Sequence, residues 1–127
     1  MLLDDLDTPS VIIDLDLMDR NIRDMAEHCK KLGIPLRVHT KSHKIPEIAH
    51  RQIASGAIGV ACQKLGDAEV MVAGGIRDIL IVTGGNNEGF LKLLGNGKEF
   101  GLRHLNYTYQ EGEGGIADAL RLSDFFC

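Results

Sequence analysis

The sequence predicts an α/β protein whose strands run parallel. Two observations carry the prediction. Short β-branched runs alternate with segments of helical period, separated by glycine and proline, which is the pattern of successive βα units. Residues 78–82 (DILIV) are nearly all apolar, as expected of a strand covered by protein on both faces. A doubly wound sheet and a (β/α)8 barrel both begin this way, and periodicity does not separate them.

Residues 10–15 (SVIIDL) read as a first strand, introduced by Thr8-Pro9. Asp16 then caps a helix, with Asp19 in its first turn, where the helix dipole favours negative charge. Leu17, Ile22, Met25, Ala26, Cys29 and Leu32 supply its apolar face, and Gly33 and Pro35 stop it. Residues 36–40 (LRVHT) form the next strand. Pro46 suits the first turn of a second helix, with Ile48, Ala49 and Ile53 inward and Gly56 just past its end. A strand at 58–62 (IGVAC), a helix near 65–73 closed by Gly74-Gly75, and the strand at 78–82 complete the pattern. After Thr83 the composition changes: nine of the fifteen glycines and all six aromatic residues lie from Gly84 onward. Here 87–94 reads as one more helix and 104–109 as a weak strand.

Composition narrows the function classes. The chain has 127 residues, 44% hydrophobic and 25% charged, with a net charge of -4. An acidic balance argues against a nucleic-acid surface, which needs a basic excess. No apolar run approaches the roughly 20 residues of a membrane span, and the N-terminus lacks a basic leader. Cys29, Cys62 and Cys127 are odd in number and scattered, so no disulfide framework or zinc site is legible. The expected compartment is the cytoplasm.

The stretch richest in chemistry is Arg37-Val38-His39-Thr40-Lys41-Ser42-His43-Lys44. Alternation along a strand puts Arg37, His39 and Lys41 on one face and Leu36, Val38 and Thr40 on the other. In a barrel the aliphatic side suits the helices, so the cationic column points inward and Lys41 reaches the C-terminal rim, where barrel enzymes place their chemistry. A lysine must shed its proton to attack a carbonyl. Nearby cations, here Arg37 and Lys44, favour the neutral amine and also suit a phosphate-bearing ligand. An anonymous lysine at a strand end is ordinarily a solvated charge, and the motif by itself does not assign a role. His39 and His43 are four apart on a strand end and turn, which favours site-lining or hydrogen-bonding roles over metal ligation. His28, His50 and His104 read as surface or structural histidines. The groups GGNNEG and GEGG lack the lysine of a phosphate loop and read as turns. Cys62 reads as a small core residue.

Thr8-Pro9 followed by IIDLDLMDRNI, then RVHTKSHK, then PEIAHRQIASGAIGVACQKLGDAEVMVAGGIRDILIV, resembles the D-threonine aldolase and D-serine dehydratase family of fold-type III pyridoxal-phosphate enzymes. The family pattern R-P-H-x-K-T-H-K is matched except at Val38 and Ser42, and the resemblance covers roughly residues 7–83. It implies the N-terminal portion of an alanine-racemase-like (β/α)8 barrel, incomplete in this chain. It implies pyridoxal 5'-phosphate as cofactor, held through a Schiff base on Lys41, with Arg37, His39 and Gln63 as further cofactor contacts and His43 on the substrate side. It also implies a lyase cleaving a D-3-hydroxy amino acid such as D-threonine to glycine and an aldehyde. D-serine dehydratase-like deamination and a non-catalytic pyridoxal-phosphate-binding protein are the alternatives.

The family's metal site uses a His-x-Cys arrangement in a C-terminal β domain. No His-x-Cys occurs here, so a divalent metal is expected only in the complete family enzyme. A (β/α)8 barrel takes about 250 residues. The expected division is therefore a barrel portion at 1–83 and a divergent glycine- and aromatic-rich tail at 84–127. The strand at 10–15 would belong to a second domain, and the chain is expected to be a truncated piece without turnover of its own. An unpaired sheet edge favours self-association.

Overall fold

The computed structural model describes residues 3–84 and 88–110. Its first long element is helix α1, Leu15–Leu32. The cap is Asp14, whose Oδ1 accepts the Leu17 amide at 3.0 Å, while Asp16 lies in the first turn. The sequence reading put the cap at Asp16. It placed a strand over 10–15, and the structure corrects both: residues 10–14 form no helix or strand. With no strand among the described residues to pair with, this β-branched run forms no sheet, and Asp14 caps the helix. At the other end Gly33 takes φ +68, and the Gly33 and Ile34 amides donate to Lys30 and Cys29. This left-handed closure is the one that favours glycine.

Three βα units follow. Strand β1 is Arg37–His39, helix α2 Pro46–Ala54, strand β2 Gly59–Cys62, helix α3 Leu65–Ala73 and strand β3 Asp78–Gly84. The expected helices and their glycine or proline boundaries are found within a residue or two. Beyond them lie helix α4, Glu88–Leu94, and strand β4, His104–Gln110. The weak strand expected at 104–109 is thus a full member of the sheet. The sheet order is β1-β2-β3-β4, every neighbouring pair is parallel, and β4 pairs with β3 from Asp78↔His104 to Gly84↔Gln110. Four consecutive strands each returning beside the last, with helices between, is the way a barrel begins.

The core lies between the sheet and its helices. Val60, Cys62, Ile79 and Ile81 are buried on the helix-facing side of the sheet, against Ala49 of α2 and Ala68 and Met71 of α3. Helix α1 is attached less completely. No residue of it is fully buried, and Leu17, Met25 and Leu32 are each about half exposed. An ion pair ties it to α2, with Arg51 reaching both carboxylate oxygens of Asp19 at 2.7 and 2.9 Å. Among the described residues no helix is long and apolar enough to cross a membrane.

Candidate functional site

Parallel strands bring all their starts to one edge of the sheet and all their ends to the other. The two edges have different chemistry here. At the strand starts, Arg37 pairs with Gly59 in the ladder, and Asp78 pairs with His104. The Arg37 guanidinium crosses over Gly59 to meet Asp78 Oδ1 at 2.7 Å, and His104 Nδ1 lies 3.1 Å from Asp78 Oδ2. A Cβ on Gly59 would sit 2.6 Å from that guanidinium and 2.8 Å from the Asp78 side chain, so only glycine lets the pair close. The Arg37 side chain is 9% exposed.

At the strand ends lies Lys41. The chain leaves extended geometry at Thr40 and makes a single 3-10 turn over Thr40–Ser42. Lys41 therefore follows β1 instead of continuing its alternation, which alters the register read from sequence. Val38 and Thr40 do turn toward the helices: Val38 packs on the core, and Thr40 is fully buried. Thr40 Oγ1 donates to the Ala61 carbonyl at 3.3 Å and lies 3.5 Å from Cys62 Sγ, fastening the turn to β2. His39 Nδ1 accepts the Lys41 amide at 3.2 Å, and His43 Nδ1 accepts the Ile45 amide at 3.0 Å.

Burial, and then the Lys41 charge, push the His39 imidazole below its ordinary 6.5, against the opposing pull of Asp67. Burial likewise lowers His43. Burial raises the Cys62 thiol, which fits a core residue and not a nucleophile.

The expected site residues are therefore only partly assembled. Lys41 and His39 are neighbours at the strand ends, and Gln63, the exposed residue directly after β2, stands on the same edge. Arg37 does not join them. Its charge is committed to Asp78 at the opposite edge, and the Lys44 ammonium lies 3.3 Å from Asp67. The two cations invoked to ease deprotonation of Lys41 are thus both neutralised. His43 is turned away too, lining a groove of about 520 Å³ with Leu17, Met25, Val38 and Ile48 between α1 and α2. The motif GEGG and residues 85–87 of GGNNEG lie outside the described residues. Among the described residues no cluster of three His, Cys, Asp or Glu side chains is placed to hold a metal ion.

Sequence reasoning missed Asp78, Thr40 and Asp67. Asp78 left a signal: it opens the strand DILIV as Arg37 opens the strand core RVH, with Gly59 at the same level between them. Asp67 left none, because its partner is 23 residues away on a different element.

No protein-family model matches the chain. The D-threonine aldolase of Arthrobacter sp. is 47% identical over 76 residues, 60% of this chain and 20% of that protein. The 3-hydroxy-D-aspartate aldolase of Paracoccus denitrificans is 41% identical over 78 residues, 61% of this chain and 20% of its own length. The crystal structure of D-threonine aldolase from Filomicrobium marinum superposes with a TM-score of 0.68 at 33% identity, covering 95% of this chain and 41% of that one. Over these stretches the chain is similar to the D-threonine aldolase-like family of fold-type III pyridoxal-phosphate enzymes.

The D-threo-3-hydroxyaspartate dehydratase of Delftia sp. gives a TM-score of 0.66 at 38% identity, covering 71% of this chain and 24% of that one. The chain spans about a fifth of the length of the curated relatives it matches. The match to the Filomicrobium aldolase covers 95% of the chain and so runs past residue 83, where the sequence resemblance stops. Helix α4 and strand β4 lie in that later segment.

Proposed function

We propose that this chain carries the cofactor lysine of a pyridoxal-phosphate-dependent lyase acting on D-3-hydroxy amino acids, with D-threonine cleaved to glycine and an aldehyde. One observation carries the reading. Lys41 stands directly after β1, at the edge where parallel α/β sheets place their chemistry, and its amine makes no ion pair among the described residues.

The residues present fit part of what the cofactor requires. An unpaired amine is available for the aldehyde carbon, and His39 and Gln63 offer polar groups beside it. When bound, the cofactor supplies an electron sink for bond breaking at the substrate Cα.

The chain's own residues set the stage for that chemistry. Thr40 locks the residue before Lys41 to β2. His39 holds the Lys41 amide through Nδ1, so its neutral ring carries the proton on Nε2, where it can donate to a bound anion. Gln63 offers an amide donor and acceptor on the same edge. Arg37 acts at a distance, by fixing the strand starts. The dehydratase among the relatives supports a second reading, loss of the β-hydroxyl from the same class of substrate.

The test is to add pyridoxal 5'-phosphate to the purified protein, reduce with borohydride and map the pyridoxyl group. We expect a visible band, abolished in Lys41→Ala, and the label on Lys41. D-Threonine, but not L-threonine, should shift the band. A label confined to other lysines defeats the reading.

A further inference from the structure

We propose that Asp67 is a positioning residue that makes Lys41, and not Lys44, the reactive amine of this site. The inference rests on the cofactor reading above and names the group that gives it selectivity. Two lysines stand three residues apart on the turn after β1, and both are exposed. A phosphorylated aldehyde meeting this edge has two amines to choose from.

The turn treats them differently. Lys44 is the only non-glycine residue among those described with a positive φ, at +54. A left-handed lysine is unfavourable unless its surroundings hold it there. Here its amide donates to the Thr40 carbonyl at 2.8 Å, and its Nζ reaches Asp67 Oδ1 at 3.3 Å in the first turn of α3. The Asp67 side chain is only 12% exposed, so it is a fixed anchor and not a waving surface charge. Among the described residues Lys41 has no such tether. Its backbone is pinned by His39 and Thr40, while its amine meets no partner among those residues.

To react, an amine nitrogen must add to the aldehyde carbon, and water must then leave. An amine held against a carboxylate has to give up that contact first, and one without a partner does not. The Lys44 side chain is about half exposed, which limits the preference to the several-fold range of partly solvated ion pairs. Asp67 bears on the site a second way, since its charge opposes that of Lys41 at His39.

The experiment uses the full chain and pyridoxal 5'-phosphate, with borohydride to convert the C=N bond to a stable secondary amine. Peptide mapping then gives the ratio of label on Lys41 to label on Lys44. In the native protein Lys41 should dominate. In Asp67→Asn the Lys44 share should rise several-fold, and Asp67→Glu should restore the native ratio. A merely structural role would lower both labels together and leave their ratio alone. Raising the salt concentration on the native protein gives a second readout needing no variant, because screening a partly exposed pair should raise the Lys44 share. An unchanged ratio in Asp67→Asn, or across the salt series, overturns the role of Asp67 while sparing the assignment of Lys41. Absence of label from Lys41 in the native protein overturns the assignment itself.

Discussion

Arg37 and Asp78 face one another across the backbone of Gly59, guanidinium nitrogen to carboxylate oxygen at 2.7 Å. The pair joins the first and third strands over the second, at the edge of the sheet away from Lys41. Replacing Gly59 with Ala puts a methyl group within 2.6 Å of the guanidinium. The expected cost is about 1–3 kcal/mol of overpacking, read as a lowered urea midpoint. Asp78→Ala should cost about 3 kcal/mol, because it strands a largely buried cation. A Gly59→Ala protein as stable as the native one would show that the ion pair does not close over this glycine.

Helix α1 offers a sharper choice between two neighbouring carboxylates. Asp14 accepts the Leu17 amide, whereas Asp16 only sits in the first turn. Asp14→Ala should therefore destabilise by about 1 kcal/mol. Asp16→Ala should lose no more than the few tenths due to the helix dipole. Thermal unfolding of the two variants side by side decides the matter, and a larger loss for Asp16→Ala would move the cap.

Acid should weaken the fold through its histidines. In the folded chain His39 and His43 both titrate below their ordinary 6.5, mainly because each ring is partly shielded from water. The unfolded chain therefore takes up protons first as the pH falls. The stability these residues contribute is complete above about pH 6.5 and is lost progressively as pH drops through their folded values. Urea midpoints measured from neutral pH downward should decline over that window. His43→Asn should flatten the decline, and an unaltered slope would remove His43 from the account.

Thr40→Val tests how the Lys41 turn is fixed. Valine keeps the shape but not the hydroxyl, so the Ala61 carbonyl and the Cys62 thiol lose their partner. About 1 kcal/mol of stability should go with that bond. Labelling of Lys41 by pyridoxal phosphate should slow more than labelling of remote surface lysines such as Lys30. Equal slowing everywhere would reduce Thr40 to an ordinary core residue.

Much of the fold was legible because local signals and tertiary context agreed. Pro46 and Gly56 bracketed α2, the nearly all-apolar DILIV announced a covered strand, and Val38 and Thr40 were rightly assigned to the helix side. The SVIIDL run misled, since β-branched residues favour a strand only where another strand is beside them. β4 was underrated because His104, Asn106 and Thr108 break the apolar pattern, yet seven ladder positions on β3 hold it in place. At the site, alternation gave the faces of Val38 and His39 and then failed at Lys41. No periodicity signals a 3-10 turn that starts with a buried threonine. The pairing of Lys44 with Asp67 joins separate elements, and one sequence carries no trace of it.

Strand β1 is only three residues long, yet its two ends have opposite duties. Arg37 is woven into the scaffold, and Lys41, just beyond the other end, is presented by it. Such a division makes the protein easy to revise. On the proposed reading, substitutions in the turns after β1 and β2 would retune what binds while the lattice of Arg37, Gly59, Asp78 and His104 keeps the strands in register. A library built around the proposed site should leave those four untouched and vary Ser42, Gln63 and Lys64.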